Sequence, residues 1–108
     1  MIDRLPSEVR SHLPGGYEAS QGVWLVLPIS GSNGISEVNA FLRSEHWYPP
    51  ELKEVIWFGD DGTGNFIGWK SDDAHAVLWN PEDGPEPWKE GGVSDIWKFI
   101  LNGYVDAT

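Results

Sequence analysis

The densest run of oxygen-bearing side chains in this sequence is Gly59-Asp60-Asp61-Gly62-Thr63-Gly64-Asn65. Asp61, Thr63 and Asn65 fall at positions 1, 3 and 5 of a calcium-loop spacing, and Asp72 falls at position 12. An EF-hand needs Gly at position 6 for its sharp turn and a bidentate Glu at position 12. Here Phe66 and Asp72 stand at those places, and no helix is expected on either side. The preferred reading is a glycine-rich hairpin loop: Gly accepts positive φ, and the Asp and Asn side chains satisfy nearby backbone donors. A phosphate cradle is disfavoured, because the GxGxxGK pattern is absent and two aspartates would repel the phosphate.

Other chemistry finds fewer residues to rest on. His12, His46 and His75 lie on separate segments with no HxH or HxxxH spacing, so no zinc site is expected. The chain has no cysteine, which removes disulfides, thiolate metal sites and a cysteine nucleophile. The carboxylates pair as sequence neighbours (Asp60-Asp61, Asp72-Asp73, Glu82-Asp83), whereas acid–base catalysis wants two carboxylates in differently tuned environments. No GxSxG nucleophile elbow is present. The expectation is a protein that is not an enzyme and holds neither cofactor nor metal.

Seven tryptophans are unusual for 108 residues. Trp24, Trp57, Trp69 and Trp79 fall in expected strands and Trp97 on the apolar face of the last helix, so these five read as core. Trp47 and Trp88 stand in loops beside prolines. Either they are exposed interface anchors or sugar-stacking platforms, or their loops fold back over the core.

Charge narrows the partners. The net charge is −10, from 17 acids against 7 bases. The excess is concentrated: between residues 60 and 86 lie Asp60, Asp61, Asp72, Asp73, Glu82, Asp83 and Glu86, against Lys70 alone. Such a field repels nucleic acid and anionic membranes and attracts basic partners, although acidity also serves solubility alone. No apolar run approaches the roughly 20 residues of a membrane span, the N-terminal segment has no signal-peptide character, and the lack of Cys fits a cytoplasmic location.

The elements that would position these residues follow from periodicity. Helices are expected at 6–13 (Leu5, Val9 and Leu13 in step), at 35–44 (Ile35, Val38 and Leu42, with Phe41 beside them) and at 93–102 (Val93, Ile96, Trp97, Ile100). Strands are expected at 23–29, 53–58, 65–70 and 75–80, the last three forming an antiparallel meander. The meander brings the 59–64 and 80–87 loops to one end of the sheet and the 71–74 turn to the other.

The order WLVLPIS (24–30), ISEVNAFL (35–42), WYPPEL (47–52), IWFGDDGTGNFIGW (56–69) and AVLWNPEDG (76–84) resembles the SUKH superfamily, which includes the fungal cell-wall-assembly regulator and many bacterial immunity proteins. The similarity covers roughly residues 24–101. The N-terminal part departs from the family pattern, since the chain begins almost at Leu5-Pro6 and residues 14–22 are short and Gly-rich. The resemblance implies one SUKH-like domain over 1–108, an α+β fold with an antiparallel sheet of about four to six strands flanked by helices. It also implies a non-catalytic role: an immunity protein that neutralises a cognate toxin, many such toxins being nucleases. A nuclease domain is basic, which suits the acidic segment. The expected interface is Asp60, Asp61, Glu82, Asp83, Glu86, Trp88 and Trp47. The alternatives are a small-molecule or carbohydrate module using Trp47 and Trp88 on a concave face, and a regulatory scaffold.

Overall fold

A computed structural model describes residues 1–106. Six strands form one antiparallel sheet in sequential order: β1 (Tyr17–Ser20), β2 (Val23–Val26), β3 (Val55–Asp60), β4 (Phe66–Lys70), β5 (His75–Trp79) and β6 (Lys89–Gly91). Three helices accompany it, α1 (Ser7–Arg10), α2 (Ile35–Ser44) and α3 (Val93–Leu101). The fold is α+β, an antiparallel sheet flanked by helices.

The central strands alternate cleanly between two faces, as a pleated strand must. Ile56, Phe58, Ile67, Ala76 and Leu78 join Val9 of α1 and Ile96, Phe99 and Ile100 of α3 in one apolar cluster. Val55, Trp57, Val77 and Trp79 point the other way and meet Leu42 of α2 and Leu52. The sheet is therefore covered on both sides, which explains why β3 and β5 read as near-continuous apolar runs. Gly68 fits this arrangement for a steric reason. It pairs with Trp57 across β3 and β4, and a Cβ there would come within 2.6 Å of the Trp57 ring.

Strand β2 stops at Val26, short of the expected 29. Leu27 still donates its N–H to the Phe58 carbonyl, but Pro28 has none to give. Beyond that point a side chain serves β3 instead. Buried Asn39 of α2 accepts from the Trp57 N–H (2.9 Å) and donates to the Trp57 carbonyl (2.8 Å) and the Ile35 carbonyl (2.7 Å). An amide on the apolar stripe of α2 thus pins the helix to the sheet.

Other expectations are corrected. Helix 6–13 shrinks to Ser7–Arg10, followed by turns that lead to Pro14 and Gly15. Two strands, β1 and β6, lie where loops were expected. Both are short edge strands with no buried residue, and so lack the apolar alternation that marks a strand in sequence. Phe41 lies on the solvent side of α2, 56% exposed, while Ile35, Asn39 and Leu42 face inward. Trp57 and Trp79 are fully buried, but Trp24, Trp69 and Trp97 are half-buried, packed at the margin of the core. No helix is long and apolar enough to cross a membrane among the described residues.

Candidate functional site

Three segments converge at one end of the sheet. Helix α2 delivers Trp47 there, the β3–β4 hairpin contributes Thr63, Gly64 and Phe66, and the chain leaving β5 contributes Asn80, Pro81 and Glu82. Together they line an open cleft of about 540 Å³. Trp47 is 44% exposed and Phe66 half-buried, so the cleft has an aromatic wall beside a carboxylate.

Each wall is fixed from behind. Phe66 packs edge-on against Trp57, which stacks on Trp79 with ring centres 4.9 Å apart. The Trp57 indole donates to the Tyr48 hydroxyl (2.8 Å), and that hydroxyl donates to the Leu52 carbonyl (2.7 Å). These bonds hold the segment carrying Trp47, and burial pushes the Tyr48 phenol above its ordinary pKa. The Trp79 indole donates to the Gly84 carbonyl (2.7 Å), and Asn80 Oδ1 accepts from the Glu82 N–H (2.9 Å), capping a short 3-10 helix at Pro81–Asp83. The buried tryptophans thus hold the rim in place through their N–H groups.

The hairpin tip is fixed by Asp61, which is 1% exposed. Its Oδ1 accepts from the Thr63 N–H (2.9 Å), the Thr63 hydroxyl (2.8 Å) and the Asn65 N–H (3.3 Å). Its Oδ2 accepts from Asn65 Nδ2 (2.7 Å) and from the Tyr104 hydroxyl (2.9 Å), 43 residues further along the chain. Burial, together with its hydrogen bond to Asp61 and the Asp61 charge, raises the Tyr104 phenol above its ordinary pKa. DDGTGN forms a hairpin loop, in which Asp61, Thr63 and Asn65 bond to one another and to the backbone. Among the described residues no three His, Asp or Glu side chains gather as a metal site.

The expected interface residues divide accordingly. Asp61 is corrected: it is buried and saturated by five donors, so its carboxylate is not presented at the surface. Asp60 is half-buried and accepts from the Gly62 N–H (2.8 Å); burial raises its carboxyl pKa, the Gly62 bond opposes this, and the neighbouring Asp61 charge adds to it. Glu82, Asp83 and Glu86 are exposed. Trp88 is 45% exposed but belongs to other surroundings: it stacks on Tyr104 (5.8 Å) and meets Phe99 edge-on (5.4 Å), on the α3 side. Trp47 and Trp88 therefore do not share one concave wall.

Sequence reasoning missed Phe66, Asn80, Pro81 and Tyr104. Phe66 carried a signal, a large aromatic directly after a turn. Tyr104 carried none, since its role depends on where α3 ends. Comparison with known proteins finds no match: no family model, no curated protein and no solved structure is similar to the chain.

Proposed function

We propose that this protein is a non-catalytic binding module of the immunity type, which sequesters and neutralises a basic toxin domain in the cytoplasm. The supporting observation is the pre-set cleft lined by the exposed carboxylate of Glu82, with exposed Asp83 next to it in the chain and exposed Glu86 further along the same loop. A surface held in place before encounter loses little ordering entropy on binding, and the carboxylates steer a basic partner toward it. The SUKH-like order of motifs supports the same role.

Co-expression with the product of the neighbouring gene tests this. A complex that forms at low salt, weakens as salt rises and suppresses the partner's toxicity is expected. No complex with any basic toxin domain at low salt defeats the proposal.

A further inference from the structure

We infer that the Trp47 cleft accepts an arginine side chain presented by the protein partner. This rests on the reading that this end of the sheet meets a basic protein, and it names the group that the cleft recognises.

The lining has the chemistry a guanidinium requires. Trp47, Phe66 and Pro81 give apolar surface, with the Trp47 ring open to solvent. A planar guanidinium stacks on such a ring, attracted by its negative face, and is weakly hydrated enough to leave water. Glu82, on the same cleft, is exposed and makes no ion pair among the described residues. Its carboxylate can take the guanidinium fork while the indole takes the face. A lysine ammonium is more strongly hydrated and has no flat face, so it gains less. An anionic ligand meets Glu82 and the surrounding negative field. The cleft is also already shaped, because its walls are held by the Tyr48, Asp61 and Trp79 hydrogen bonds.

The test is an NMR titration of the full chain with acetyl-Gly-Arg-Gly-amide and its lysine and citrulline counterparts. Citrulline keeps the shape of arginine and loses its charge. The Trp47 indole and Gly64 amide signals should shift with the arginine peptide. Affinity should fall by about threefold or more for lysine and about tenfold for citrulline. Trp47→Ala and Glu82→Gln should each weaken the arginine peptide by about fivefold or more, with the other indole signals unchanged as the check on folding. An unmoved Trp47 signal, or citrulline binding as well as arginine, overturns the inference. If the toxin is bound while the arginine peptide leaves Trp47 unmoved, the subsite is wrong and the neutralising role stands. If the peptide binds as described and no toxin is captured, the subsite stands and the neutralising role falls.

Discussion

Asp60-Asp61 and Glu82-Asp83 are both pairs of acids in polar connections at the same end of the sheet, yet the fold uses them in opposite ways. Asp61 is turned inward and satisfied by Thr63, Asn65 and Tyr104, and Asp60, the last residue of β3, is half-buried. Glu82 and Asp83 sit on a capped 3-10 helix and face solvent. The difference arises from the donors each loop supplies. The hairpin offers its own N–H groups, a hydroxyl and an amide to Asp61, whereas beyond β5 the Glu82 N–H is taken by Asn80 Oδ1 and the Asp83 N–H by the Asn80 carbonyl, so neither is left for the Glu82 or Asp83 carboxylate. A carboxylate buried among good donors acts as structure; one without them is left to the solvent or to a partner.

Asp61→Ala should have the largest effect. It leaves the donors of the hairpin without their acceptor and releases Tyr104, for a loss of about 3 kcal/mol in urea unfolding. A loss below about 1 kcal/mol would show that water replaces the carboxylate and that the hairpin tip is not held by it. Tyr104→Phe tests the long-range part alone. It removes one hydrogen bond to a charged acceptor while keeping the ring on Trp88, and should cost about 1.5 kcal/mol by the same measurement.

Much of the fold was open to sequence reasoning because the central strands and two helices carry strong apolar periodicity. The expected helix 35–44 coincides with α2, and the ends of β3 to β5 lie within two residues of their expected positions. The edge strands were not legible, since β1 and β6 owe their form to a neighbouring strand and not to their own residues. Nor was the inward turn of Asp61, which needs a hydroxyl from beyond α3. The position of Trp47 beside the hairpin depends on α2 carrying the chain along the sheet, a matter of topology that local sequence does not encode. Trp97 looked like core for a sound reason, its helical spacing. Its half-buried place follows from an indole N–H that reaches the Leu25 carbonyl at the sheet margin.

The outward pair should behave in the reverse manner. Glu82→Gln with Asp83→Asn leaves folding within about 0.5 kcal/mol of the parent, because neither side chain holds another part of the chain. Association with the proposed basic partner should slow by about two- to fivefold at low salt, with a shallower salt dependence. An unchanged association rate would place the interface elsewhere.

Asp60 lies between the two cases, and its expected effect is the smallest. Burial raises its carboxyl pKa above the ordinary 3.8, so the folded state holds the proton more tightly than the unfolded chain. The sign follows from linkage. The stabilising contribution of the protonated group is complete below the unfolded pKa and is lost as pH rises through the folded one. At neutral pH the ionised Asp60 therefore opposes folding, through its own desolvation and its repulsion with Asp61. Asp60→Asn keeps an oxygen for the Gly62 N–H and removes the charge. The variant should be more stable than the parent at pH 7 by no more than about 0.5 kcal/mol, and the gain should vanish as pH falls below 3.8. A destabilised variant at pH 7 would mean that the charge on the Asp60–Gly62 bond outweighs burial, and that Asp60, like Asp61, is held in place as an anion.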